Sequence, residues 1–231
     1  MAFGLVALLT VSVLLLAVFG SVVVATSRGR TASPLRRETL EDPLTGIGNR
    51  RALFRSGPTL LAEARRGGRP AALLLMDLDG LKVVNDLHGH AAGDRLLVAF
   101  AHMAHDYLPP TGLVCRIGGG EFAALLPGAD GLRARSVADE IRALFAHVAI
   151  PGPRGPVRST VSIGTVASTD LRTGTAGPDL RALLDRAGCC LSAAKDGGRD
   201  RVADEGGAGS DGTGHAGVEP VAVAPDRLSF I

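Results

Sequence analysis

The residues whose types and spacing suit chemistry begin at Asp77-Leu78-Asp79, where the wholly apolar run Ala71–Met76 ends in two carboxylates. A carboxylate at the end of a buried strand is the hard oxygen donor that Mg²⁺ prefers, and phosphate oxygens can complete its shell. Two aspartates at such a point serve equally well as caps of a following helix, and both readings stand on these residues alone. Lys82 comes next, with an ammonium that neutralises phosphate, followed by Asn85 and Asp94. These last two suit a purine edge, because guanine offers N1–H and N2–H₂ donors that a carboxylate accepts. Further on, Arg116-Ile117-Gly118-Gly119-Gly120-Glu121-Phe122 carries a glycine turn that lets a ligand approach the backbone closely. Lys195 and Arg199 then supply two cations four residues apart, a spacing that would share a helical face, although Gly197-Gly198 between them ends the helix. Such cations suit a triphosphate tail, or equally the negative end of a helix dipole.

The surrounding pattern says what must position these groups. Ala52, Leu53, Leu60, Leu61 and Ala64 form a helical stripe over residues 49–66, closed by Gly67-Gly68. Ala71–Met76 is short and uniformly apolar, which predicts a buried strand. Leu96, Leu97, Phe100 and Met103 mark one face of a helix over 91–107. Leu113–Ile117 and Phe122–Leu126 flank the glycines as a β-hairpin. Residues 131–147 and 178–196 read as helices, Arg158–Val166 as a strand and Arg201–Ala203 as a short last strand. A hairpin in the middle of mixed elements predicts an α+β fold, a mixed β-sheet flanked by helices, rather than a doubly wound one.

The first 27 residues carry no side-chain charge. Residues 2–25 are apolar enough, as a helix, to cross a hydrocarbon core of about 30 Å. Arg28, Arg30, Arg36 and Arg37 follow at once and mark the cytoplasmic side. A cleaved signal peptide would carry a charged start and a shorter apolar core, and this segment has neither. The expected organisation is a transmembrane helix over 1–27, a linker helix over 28–41, the globular domain over 42–203 and a disordered tail over 204–231. The protein is thus expected in the inner (plasma) membrane as a single-pass chain with its domain in the cytoplasm. A net charge of +2 and 3% aromatic residues give no argument for a nucleic-acid partner. Cys115, Cys189 and Cys190 lack metal-type spacing and read as reduced packing residues.

Together these runs resemble the GGDEF family, the diguanylate cyclase domain of bacterial second-messenger signalling. The resemblance starts at Asp42-Pro43-Leu44-Thr45-Gly46 with Asn49-Arg50-Arg51. It passes through Asp77-Leu78-Asp79, Asn85-Asp86, Gly89-His90, Gly93-Asp94 and the hairpin, then Thr160-Val161-Ser162-Ile163-Gly164, and closes on Ala194-Lys195 with Gly198-Arg199. It implies a nucleotide-cyclase-like fold that joins two GTP molecules into cyclic di-GMP with Mg²⁺ or Mn²⁺, in a homodimer or a heterodimer with another GGDEF domain. It also implies that Asp77 and the Leu78 carbonyl hold the metal, that Asn85 and Asp94 read guanine, and that Lys82, Lys195 and Arg199 hold phosphates.

The chain departs from that pattern at the hairpin, where Gly120 stands in place of the family's Asp or Glu, the carboxylate that binds metal and is the proposed base. Glu121 remains, and strand alternation turns it away from where residue 120 would point. Leu81, Gly188 and Ser192 replace a usual Phe, Asp and Tyr. Pro109-Pro110-Thr111-Gly112 replaces the RxxD product-inhibition motif, so no such site is expected. Three functions follow: a GTP-binding regulator with weak or absent cyclase activity, a fully active diguanylate cyclase, and a non-catalytic dimerisation module. For the topology, a C-terminal alkaline-phosphatase fusion is expected to be inactive in cells; an active fusion would place the domain outside.

Overall fold

The computed structural model describes residues 39–153, 155–168 and 180–206. The apolar segment 2–25, most of the linker and the tail beyond residue 206 lie outside them. Among the described residues no helix is long and apolar enough to cross a membrane.

The chain runs β1 (Gly48–Asn49), α1 (Arg50–Arg66), β2 (Ala71–Leu78), α2 (Leu81–His88), α3 (His90–Tyr107), β3 (Leu113–Arg116), β4 (Glu121–Pro127), α4 (Gly131–His147), β5 (Val161–Ser168), α5 (Leu180–Asp196) and β6 (Val202–Asp204). The strands form one mixed sheet in the order β1-β3-β4-β2-β5-β6. The central strand β2 is antiparallel to both β4 and β5, while β1–β3 and β5–β6 are parallel. This is the expected α+β architecture.

Local chemistry explains the boundaries. Asn49 is extended, and its side chain accepts from the Ala52 amide at 3.0 Å, capping α1. Asp130 caps α4 in the same way through the Arg133 amide. Gly89, at φ 82°, ends α2 and starts α3 in a conformation that a side chain would strain.

β2 reads as an unbroken apolar run because it is covered on both faces. Successive side chains alternate across a strand. Leu73 and Leu75 therefore pack with Leu53, Leu183 and Leu191 of α1 and α5. Ala72, Leu74, Met76 and Leu78 pack with Leu96, Phe100 and Ile141 of α3 and α4. On that second face Phe100 is wedged between Phe122 and Phe145, with centroids at 4.8 and 5.0 Å, in the tilted and edge-on geometry that rings favour.

Several expectations shift. β2 runs two residues past Met76, through Asp77 and Leu78. The expected strand from Arg158 starts only at Val161. β1 and α2 are elements that the apolar pattern did not delimit. In α2 the reason is physical: Val84 is buried, but Val83 and Leu87 are 58% and 53% exposed, so no clean stripe faces the core. Cys115 and Cys190 are buried, in keeping with packing roles, whereas Cys189 is exposed; burial pushes Cys115 up to about 12, which keeps it protonated.

Gly164 lies where β5 meets α5. A Cβ there would overlap the backbone of Ala187 and Leu191, atoms that cannot swing aside. Gly164→Ala is expected to destabilise the fold by about 3 kcal/mol, the upper part of the usual overpacking range. Urea unfolding should show a lowered midpoint at unchanged slope.

Candidate nucleotide-binding site

Asp77, Leu78, Gly120 and Lys195 come together at the carboxyl end of β2. Asp77 is the first polar side chain of that strand and is largely buried, 19% exposed. Its carboxylate forms an ion pair with Lys195 of α5. The next amide, Leu78 N–H, donates to the Gly120 carbonyl at 3.1 Å, which fastens the glycine turn to the strand end. A Cβ built on Gly120 would lie 2.8 Å from Asp77 Oδ1 and 3.3 Å from Leu81 Cδ2. Gly120 has no positive φ, so a side chain at this position meets no backbone penalty and points straight at Asp77.

Glu121 points away from where residue 120 would point, as alternation led one to expect. The register places Glu121 directly across from Asp77, and residues opposite one another share a sheet face. Its side chain is nonetheless exposed and folds back over the turn, where a Cβ on Gly118 would meet its Oε2 at 2.5 Å.

The two guanine-reading candidates differ in setting. Asn85 Oδ1 is buried without a hydrogen-bond partner and occupies the space where Gly93 would carry a Cβ. Leaving such an acceptor unmade costs about 1–3 kcal/mol. Asp94, one residue beyond Gly93, is exposed on α3. Lys82 is exposed on α2 and pairs with Asp86 at 3.0 Å.

Lys195 and Arg199 do not share a helical face. α5 ends at Asp196, and Gly198 at φ 114° closes it: the Arg199 amide donates to Ala194 O at 3.1 Å and the Gly198 amide to Lys195 O at 3.2 Å. Arg199 and Asp200 follow at φ 64° and 45°, a left-handed conformation that costs a non-glycine residue about 1 kcal/mol or more. Arg199 lines an open recess of about 670 Å³ with Gly80, Val83, Arg158 and Thr160.

Asp79 does not cap the following helix; its carboxylate is engaged by three donors of the chain itself. Its Oδ2 accepts from Thr160 Oγ1 at 2.7 Å and from the Asp200 amide at 3.1 Å, and its Oδ1 accepts from Ser162 Oγ at 2.7 Å. Gly80 occupies the N-cap of α2, which has no side-chain cap.

Asp77 is thus the one anionic donor aimed at the proposed metal position, and among the described residues no group of three His, Cys, Asp or Glu is arranged to hold an ion. This set fits a single ion shared with phosphate oxygens and does not fit a cage of two carboxylates.

Arg116 is a residue whose role the sequence did not reveal. Its guanidinium donates to Gly119 O at 2.8 and 3.2 Å and to Asp42 Oδ1 at 3.1 Å, tying the glycine turn to the start of the domain. Asp42 also accepts from the Thr45 amide at 3.0 Å and hydroxyl at 2.8 Å. Burial alone would raise the Asp42 carboxyl, but the Thr45 and Arg116 donors outweigh it and hold it below its ordinary value. The hint was there in an arginine placed just before a glycine turn, but no spacing rule pairs it with a residue 74 positions earlier.

Comparison with known proteins agrees with this geometry. The family described as "Diguanylate cyclase, GGDEF domain" matches residues 39–201. The chain belongs to the GGDEF family. An uncharacterized protein of Mycobacterium tuberculosis is 41% identical over 182 residues, 76% of this chain and 27% of its own length. The diguanylate cyclase DgcP of Pseudomonas aeruginosa is 34% identical over 167 residues, 72% of this chain and 24% of its own. The chain therefore spans about a quarter of these curated relatives. Among solved structures, the GGDEF domain of DgcB from Caulobacter crescentus in complex with c-di-GMP aligns with a TM-score of 0.66 at 29% identity, covering 76% of this chain and 98% of that one.

The Asp42 cluster generates a pH-dependent expectation. A lowered folded value means that its stabilisation is present above the ordinary carboxylate range, about 3.9, and is lost as pH falls through the lower folded value. Thr45→Val, which removes one charge-assisted bond, is expected to cost about 1.5 kcal/mol at pH 7. That difference should shrink towards zero in unfolding experiments below about pH 3.

Proposed function

We propose that this chain is a membrane-anchored GGDEF signalling protein that binds GTP and is weak or inactive in forming cyclic di-GMP, acting as a GTP-binding regulator. The observation that carries the proposal is the position of Gly120: its missing side chain would stand against Asp77 Oδ1. The site therefore has one anionic donor where a carboxylate pair would close a metal cage.

Binding and turnover separate on this reading. Asn85 Oδ1, buried and unpartnered, and Asp94 beyond Gly93 offer acceptors to the guanine edge. Lys82 and Arg199 offer charge to phosphates, with Lys195 beside Asp77. When bound, a divalent ion at Asp77 and the Leu78 carbonyl would neutralise phosphate charge. With glycine at 120, the chain offers no side chain there to take the proton of an attacking hydroxyl. The partners proposed are GTP, a second GGDEF domain of the same or another chain, and the membrane through residues 2–25.

One observation favours an active cyclase instead: Glu121 lies across from Asp77 and needs only a side-chain rotation away from Gly118 to approach it. The two readings part in a GTP-turnover assay with Mg²⁺ and with Mn²⁺. Gly120→Asp is expected to raise cyclic di-GMP formation at least tenfold with little change in GTP affinity, since losing a general base typically costs about two to four decades in rate. A native chain that already matches the variant, and that loses activity in Glu121→Gln, would establish the active reading.

A further inference from the structure

The left-handed pair Arg199-Asp200 is held from two sides. The Asp200 amide donates to Asp79 Oδ2 at 3.1 Å, and the Asp200 carboxylate pairs with Arg142 of α4 at 3.0 Å. Asp79 is itself immobilised: Thr160 and Ser162 donate to its carboxylate as well, its amide donates to Thr160 O at 2.8 Å, and its carbonyl accepts from Ser159 Oγ at 2.6 Å. A strained turn persists only where its surroundings over-determine it, and such turns concentrate at binding sites. Here the residue carried by the strained turn is Arg199, which lines the recess shared with Asp79 and Gly80.

We infer that Asp79 is a positioning residue: its carboxylate clasps the Arg199-Asp200 turn through the Asp200 amide and so fixes the Arg199 guanidinium where it meets the terminal phosphates of the nucleotide. This rests on the reading of Arg199 as a phosphate ligand. Asp79 touches no substrate in this account; it acts by denying Arg199 the other conformations of a glycine-flanked loop. The motif carboxylate two residues after Asp77 is thereby explained without a metal. The conservative variant follows from the same geometry. In Asp79→Asn, the amide oxygen can keep Thr160 and the Asp200 amide, while the amide NH₂ donates to Ser162, whose hydroxyl rotates to accept.

The test uses the full chain and compares affinities for GTP and GMP, because GMP lacks the terminal phosphates. Arg199→Ala is expected to weaken GTP at least fivefold and leave GMP within twofold. Asp79→Ala should reproduce that split, and the double variant should be no worse than either single one, as required of residues acting as one unit. Asp79→Asn should retain most of the GTP affinity. In the native chain the Asp200 amide should be protected from hydrogen exchange, a measurement that needs no variant to fold. The inference is overturned if Asp79→Ala spares GTP binding, if it weakens GTP and GMP alike, if the two losses multiply, or if the Asp200 amide exchanges freely. A native chain that binds GTP while Arg199→Ala leaves that affinity unchanged removes the phosphate role and the clasp's purpose with it. A native chain that binds no GTP removes the proposed function itself.

Discussion

The constraint on which the structure depends is that β2 is covered on both faces. A strand between two helical layers has nowhere to put a polar side chain, so every residue from Ala71 to Met76 is apolar and buried. Polarity can return only where the layers end, and there it returns at once, as Asp77 and Asp79. The strands on either side supply the rest of that edge. β4 brings the glycine turn to the end of β2, and β5 brings Ser162 beside Asp77 and Val161 beside Leu78. The candidate site's location is thus a consequence of how the core is closed, and the two carboxylates at that edge differ in their partners: Asp77 pairs with Lys195, while Asp79 is held by Thr160, Ser162 and the Asp200 amide.

Close approach does the remaining positioning, and glycine permits it at three places for three reasons. Gly164 lets α5 sit on β5, which sets where Lys195 meets Asp77. Gly93 leaves space for the Asn85 side chain between α2 and α3. Gly120 differs, because its backbone conformation does not require glycine and its neighbours would accommodate a side chain by a small movement of the Asp77 carboxylate. The first two glycines are demanded by packing. The third is not, and this distinction supports the proposed separation of binding from turnover.

Much of this was legible in the sequence. The α+β class, the helices flanking the sheet and the glycine hairpin follow from periodicity and motif order, because those features are local or belong to a family pattern. What was not legible depends on contacts between distant segments. The role of Asp79 is set by Thr160, Ser162 and Asp200, which arrive from β5 and from the turn after α5. The Arg116–Asp42 pair joins the two ends of a long excursion. Helix α2 escaped delimitation because Val83 and Leu87 face outward while Val84 is buried. The break between Lys195 and Arg199, by contrast, was legible, because Gly197-Gly198 stands between them. Glu121 shows the limit of alternation as an argument: it places a residue relative to its own strand, while register decides which residue it faces on the next.

The central claim is that this edge is a guanine nucleotide site that outlives the loss of its catalytic carboxylate. Calorimetric titration of the native full chain with GTP and with ATP tests it most directly. A site that offers acceptors to N1–H and N2–H₂ discriminates against a base lacking those donors. The account predicts GTP binding at least about tenfold tighter than ATP, a preference flattened in Asp94→Ala. Equal affinity for the two nucleotides, or none for either, would contradict it.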